Sequence, residues 1–465
     1  MSNIVYNTTI YTRGELMETL KKKYGLFTAI CMVVGIVIGS GIFFKAPDVL
    51  ANAGTALNST LAWMIAGLIM VIIATSFGVL ATKYEKVGGI VAYAESTCGK
   101  RYAYFFGWFM SLVYYPAMTS VLAWVSARYT LVVALGNDDK IFSTECITLA
   151  LLYLVLAYFI NTIAPRIAGK IQISSTLLKL VPIVFIALVG TTVGLVNGTL
   201  FDNFSVEYSA EIENPGLFPA ICSTVFAYEG WIVATAINSE IRDSKRNLPI
   251  ALCLGTLVIV AAYTLYNLGV LGLAEINSLS AGTHVAFRFF GGAAATVINV
   301  LVVVSCLGTL NGLMLGCTRG IYSLSARGEG ISPETFAQVD KKTNVPHNSA
   351  TFALLMCAIW FVYFIFSCTG VFGEYGFDSS ELPIITIYPL YIPILVVMMI
   401  KEKDVHPFKR FVLPILSLGG IGVIVYASIR SHGMDNVWYL IVFALIMLIG
   451  LAVMIKNEKN EKIAK

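Results

Sequence analysis

Twelve apolar runs, each long enough to cross a bilayer, leave this chain few folds to adopt. They fall at 26–50, 60–82, 102–135, 145–164, 171–197, 217–241, 249–273, 293–327, 347–369, 381–401, 409–429 and 435–455, each matching one helix of roughly 20 residues. In lipid every backbone N–H and C=O must be satisfied within the protein, so runs of this length read as helices. Composition agrees: the 465 residues are 57% hydrophobic and 12% charged, where a soluble domain carries about a quarter charged residues. The chain is therefore expected to be an all-α polytopic membrane protein. The overlong runs 102–135 and 293–327 predict tilted or projecting helices. The polar start, Met1 to Lys23, predicts no cleavable signal peptide.

Two runs are interrupted. The first carries Gly35, Gly39 and Gly41, with Ser40 between the last two. Glycine loosens a helix, and loosened backbone at membrane depth needs protein or a cavity around it. A break here would aim the N–H groups of Ser40 and Gly41 at the cavity, at the positive end of the half-helix that follows. The competing reading is a packing face, since Gly35 and Gly39 have small-xxx-small spacing. The sixth run settles the choice. Its centre reads Phe226-Ala227-Tyr228-Glu229-Gly230-Trp231, a glycine beside an ionisable group that is costly in lipid and faces a cavity or a partner. Breaks in spans one and six are in register if the first ten spans are two halves of five, the pattern of an inverted-repeat transporter.

The expected organisation is a tail over 1–24, a transport core over 25–401 (halves 25–197 and 217–401), two accessory helices over 402–455, and a tail over 456–465. Lysine and arginine gather in alternate loops, with Lys83, Lys100, Arg101, Arg327, Lys401 and Arg410 on the side of the termini. That asymmetry predicts cytoplasmic termini. Lys179 is a lone charge deep in the fifth span. Either its stem snorkels to the interface, or it is a fixed ammonium near the first break, acting as a bound sodium ion would. On span eight, Ser305, Thr309, Asn311 and Thr318 are polar; Asn311 is the candidate among them. Nine scattered cysteines without a C-x-x-C pair predict neither a disulfide framework nor a metal site, and four distant histidines predict no histidine metal cluster.

These residues resemble the amino acid–polyamine–organocation superfamily, in its L-type amino acid transporter branch, and within it the bacterial serine/threonine exchangers. The likeness rests on Ile38-Gly39-Ser40-Gly41-Ile42-Phe43, on Phe226 to Trp231, on Lys179-Leu180-Val181-Pro182 and on Leu310-Asn311-Gly312; Gly88-Gly89 and Arg246-Asn247-Leu248-Pro249 are similar to further landmarks. The resemblance implies a core of two inverted five-helix repeats with broken helices one and six. It implies that Ser40 and Gly41 hold the substrate carboxylate, and that the carbonyls of Val37, Phe226, Ala227 and Glu229 take its ammonium. It further implies that Phe226 closes over the substrate and that Lys179 replaces sodium. Ile38, Tyr115 and Asn311 complete the candidate site. Glu229 and Tyr115 depart from the family pattern, which leaves the substrate side chain open. Related light subunits pair through a cysteine between spans three and four; Cys146 lies at about the start of span four, so no partner chain is expected.

The function so implied is sodium-independent exchange of neutral L-amino acids across the plasma membrane. The alternatives are a proton symporter using Glu229 or Lys179 and a sensor on a transporter scaffold. An enzyme would want clustered catalytic groups, and no such cluster, cofactor motif or nucleic-acid-binding feature is legible.

Overall fold

The computed structural model describes residues 25–84, 89–135, 141–208, 214–232, 235, 241–340 and 342–464. The expected tail 1–24, Gly88 and Glu240 lie outside them. Among the described residues ten helices are long and apolar enough to cross a membrane, from Ala56–Lys83 to Asp435–Asn460, joined by the shorter apolar helix Leu217–Tyr228 and the first run. The chain is an all-helical, multi-pass membrane protein.

The first run splits as expected. Leu26–Val37 stops where Ile38 turns extended, and Gly41–Ala53 starts after Ser40. The sixth run forms Leu217–Tyr228, stops at extended Glu229, and turns at Gly230, whose φ of +111° favours glycine. The fifth run breaks too: Pro165–Leu178 ends at Lys179 and a new helix begins at Leu180. The overlong runs are single helices, Lys100–Leu135 and Gly292–Ser325. A π-helical turn over Met110–Tyr114 widens the first of these, a feature frequent at functional sites. The last helix runs to Ala464, so the stretch 456–464 of the expected tail is helical.

Packing pairs the spans in the way two halves of five require. The half of span one after its break and the half of span six before its break meet through Asn52 Nδ2, which donates to Ser223 Oγ at 2.9 Å. Spans two and seven lie side by side, with Ser59 donating to Asn267 and Asn267 donating to Thr60, each at 3.1 Å. Thr119 Oγ1 and Cys317 Sγ, 3.1 Å apart, join spans three and eight. Spans five and seven approach through glycines: a Cβ on Gly190 would lie 2.4 Å from Gly269 O, and one on Gly194 would lie 2.3 Å from Gly272 Cα. This is close backbone packing of the small-residue kind. Span eleven rests on span two through Ser76 and Ser417, 2.8 Å apart. Span twelve caps span three, where Trp108 Nε1 donates to Ile446 O at 2.9 Å.

One end of the bundle is rich in basic residues. There Lys83 pairs with Asp404 and Glu402, and Arg101 pairs with Glu458. The expected inner loop between spans two and three contains the helix Gly89–Cys98, tied to span ten by Lys401 Nζ donating to Thr97 O at 2.6 Å.

Candidate functional site

The two breaks face one cavity of about 460 Å³, a size suited to a small molecule. Val37, Gly39, Ser40 and Gly41 line it from span one, Phe226, Ala227, Glu229 and Gly230 from span six, Tyr114 and Tyr115 from span three, and Lys179 from span five. It runs past Arg319 and Ser323, both exposed, toward the basic end.

Glycine is required at the first break by proximity. A Cβ on Gly41 would lie 2.7 Å from Ala227 Cα, and one on Gly39 would lie 2.9 Å from Thr309 Oγ1. The packing and cavity readings of this stretch therefore hold together: small residues let the two broken backbones touch, and the breaks expose polar ends. In the first turn of Gly41–Ala53 the N–H groups of Phe43 and Phe44 donate to Ser40 O, which leaves those of Gly41 and Ile42 as the donors with no partner within the helix. Leu26–Val37 and Leu217–Tyr228 end in carbonyls at the same place. A positive helix end therefore stands beside two negative ones, an arrangement that discriminates a zwitterion from a simple anion or cation.

The two negative ends already share a donor. The Tyr263 hydroxyl, from span seven, lies 3.1 Å from Ala227 O and 3.3 Å from Val37 O, and offers its single proton to that pair. Nothing in the sequence singles Tyr263 out from the other tyrosines.

Glu229 is buried. Its Oε2 accepts from Tyr388 at 2.7 Å, while its Oε1 is enclosed without a hydrogen-bond partner among the described residues, with the Tyr114 hydroxyl and the Gly230 N–H near the carboxylate. Glu229 lines the cavity, and its carboxylate is engaged by a tyrosine of span ten. Lys179, at the kink of span five, is buried and makes no hydrogen bond or ion pair with any described residue. It does not snorkel. Tyr115 borders the cavity while its ring also covers Gly316, where a Cβ would meet it at 3.0 Å.

Two candidates are corrected. Asn311 is turned away from the cavity: its Oδ1 accepts from Asn161 at 3.0 Å, and its Nδ2 donates to Ala168 O at 3.1 Å. It ties span eight to spans four and five, a structural use common for amides in membrane helices. Ile38 sits in the break but is buried outside the cavity lining, because its extended backbone points the side chain into the core.

The cavity is shut at the end away from the basic residues. Phe226 packs edge-on against Phe44 at 5.7 Å, and Phe44 against Trp124 at 5.7 Å. Behind these rings Lys45 is buried, with Nζ 2.6 Å from Glu381 Oε1, 3.2 Å from Ser380 Oγ and 3.5 Å from Asp48 Oδ2. Burial pushes the Asp378 carboxyl of the adjoining loop up, yet the Lys45 ammonium together with the hydrogen bonds and charge of His432 and Ser380 outweighs it and holds the group below the ordinary carboxylate range. Lys45 and Arg319 were legible as charges inside apolar runs, but their neighbours were not.

Comparison with known families bears on the same residues. The family model described as amino acid permease matches residues 24–452, nearly the whole chain. The chain belongs to the amino acid permease family. Among curated members it is similar to the serine/threonine exchanger SteT of Bacillus subtilis (strain 168), 26% identical over 445 residues, covering 93% of this chain and 95% of the relative. It is also similar to the b(0,+)-type amino acid transporter 1 of Mus musculus, 26% identical over 405 residues, covering 83% and 82%. A third relative is the cystine/glutamate transporter of Homo sapiens, 26% identical over 342 residues, covering 72% and 66%. As a permease the chain is a transporter by family, and its polytopic fold is the one such a role requires.

Proposed function

We propose that this permease exchanges small neutral L-amino acids of the serine, threonine and alanine kind across the cell membrane, by alternating access and without sodium. The observation that carries the reading is the pair of broken helices of opposite polarity facing one cavity that is shut at one end. In this reading the N–H groups at Ser40 and Gly41 receive the carboxylate, and the carbonyls of Val37, Phe226, Ala227 and Glu229 receive the ammonium. Phe226 forms the lid on the shut side. Lys179 supplies a permanent positive charge from span five, which makes a sodium ion unnecessary. The basic end faces the cytoplasm by the bias of lysine and arginine, so both termini are cytoplasmic and the cavity is open inward. No partner chain is invoked.

Proteoliposomes test it. Labelled serine outside should accumulate only when unlabelled amino acid is inside, equally in sodium and in choline. Absence of such counterflow with every amino acid of a broad panel overturns the reading. One observation favours a second reading, proton-coupled uptake: Glu229 Oε1 is buried without a hydrogen-bond partner among the described residues, as a carboxyl that takes up a proton would be. Uptake into liposomes empty of amino acid, driven by a proton gradient and collapsed by a protonophore, would establish that alternative.

A further inference from the structure

At the shut end of the bundle, three segments distant in sequence bring a thiol, an imidazole and a carboxylate together. Cys222 lies on Leu217–Tyr228, Glu381 precedes Leu382–Lys401, and His432 ends Leu413–His432. Cys222 Sγ is 3.6 Å from Glu381 Oε2 and 3.7 Å from His432 Nδ1. His432 Nε2 is 3.4 Å from Glu381 Oε2 and 3.9 Å from Asp378 Oδ2. One ligand atom from each of Cys222, Glu381 and His432 lies within 4.8 Å of the others. The geometry points to a site for a single zinc-class divalent cation, held by Cys222, Glu381 and His432, with Asp378 or water in the fourth position.

Three features support it. Bonds of about 2.0 Å to nitrogen and oxygen and about 2.3 Å to sulfur place tetrahedral ligand atoms roughly 3.3–3.6 Å apart; the thiol faces His432 Nδ1 and the carboxylates face its Nε2, so a turn of the ring that brings one nitrogen to the ion, within the 4.8 Å span of the three ligand atoms, completes the set. The carboxylates are oriented before any ion arrives. Lys45 occupies Glu381 Oε1 and leaves Oε2 toward the thiol and the imidazole. The N–H groups of Ser380 and Glu381 donate to Asp378 Oδ1 and leave Oδ2 toward His432. An entry path exists as well: Cys222 and Glu381 are buried and His432 is partly buried, whereas the side chains of Asp378 and Asp48 are 34% and 47% exposed. Thiolate, imidazole and carboxylate together suit zinc, and the shortage of oxygen ligands disfavours calcium and magnesium. Binding releases the Cys222 proton to solvent, because only the thiolate is a good ligand. No sequence signal marked this site: the cysteines predicted no metal site and the histidines no cluster, and the three ligands come together only in the fold.

The ion would join the half-helix of span six to spans ten and eleven while this end is shut. Its consequence rests on the alternating-access reading: zinc holds the shut end closed and stops exchange.

Purified full-length protein in nanodiscs is titrated with cobalt(II) as the probe, then with zinc. The expected result is one equivalent of cobalt with a near-ultraviolet thiolate charge-transfer band and tetrahedral visible bands, all displaced by zinc. Cys222→Ser and Cys222→Ala should lose the thiolate band, and His432→Gln should bind at least tenfold more weakly. Zinc should raise the unfolding temperature of the unaltered protein and not that of the Cys222 variants. In proteoliposomes zinc should inhibit counterflow reversibly with chelator, while Cys222→Ser keeps metal-free flux and escapes inhibition. A cobalt spectrum without a thiolate band, or one unchanged by both Cys222 substitutions, overturns the site and leaves a hydrogen-bonded cluster. Thiolate-ligated binding without inhibition overturns the locking role. The spectra are read without flux, so failure of the transport reading is distinguishable from failure of the site.

Discussion

At position 41 a single methyl group would meet backbone, 2.7 Å from Ala227 Cα, and backbone cannot swing aside as a side chain can. Gly41→Ala should therefore separate the two breaks and spoil the positive and negative ends they hold side by side. Overpacking of this kind costs about 1–3 kcal/mol, so counterflow should fall roughly tenfold to a hundredfold while folded protein remains on size exclusion. Unchanged counterflow would refute the assignment of the first break as the carboxylate site. Tyr263 is the second residue to test, because its hydroxyl stands between Val37 O and Ala227 O. Tyr263→Phe removes one neutral hydrogen bond, worth about 1 kcal/mol, and frees the two carbonyls to drift. The KM for substrate should rise about fivefold with little change in thermal stability. A lowered KM would mean that the hydroxyl competes with the ammonium instead of positioning its acceptors.

Among the elements, span five shows how a break and a charge act together. The helix stops at Lys179 and restarts at Leu180, so the ammonium enters the cavity region at a kink, and no described carboxylate meets it. A bare buried cation is costly and persists only where the surrounding dipoles are aimed at it. Lys179→Ala is expected to abolish most flux without loss of folded protein, and unaltered protein should be indifferent to replacing sodium with choline. Restoration of the alanine variant's flux by sodium would be informative, since it would show an ion taking the lysine's place. Flux retained in both salts would remove Lys179 from the mechanism.

For the molecule as a whole, the structure is a cavity open at one end and sealed at the other by rings and a buried ion pair. The Lys45–Glu381 pair joins the half of span one after its break to span ten, so it exists only while that end is shut. Removing one partner of a buried pair costs about 3–5 kcal/mol, a loss that falls on the shut state. Lys45→Met should then populate the opposite opening. In a background where Cys222 is the only cysteine, a membrane-impermeant maleimide should label it faster by tenfold or more. Equal labelling rates would place the seal in the aromatic layer of Phe44, Phe226 and Trp124.

Helix-forming runs, their number, the breaks at Gly39–Gly41 and Glu229–Gly230, and the isolated Lys179 were legible because lipid imposes one rule on each residue locally. A long apolar run must be a helix, and a glycine or a charge within it must have a reason. The same locality explains the errors. Asn311 is polar on an apolar span, which sequence cannot distinguish from a cavity residue; only the arrival of Asn161 and the Ala168 carbonyl makes it structural. Glu229 met Tyr388, and Tyr263 took a place between two helix ends, because partners 159 and 36 residues away were delivered by packing. By itself the sequence determined a bundle of helices with two interruptions and an amino acid permease's motifs. The tertiary structure alone decided which polar groups meet, because close packing of the spans, through glycines such as Gly41, Gly190 and Gly194, sets which side chains come within hydrogen-bonding distance.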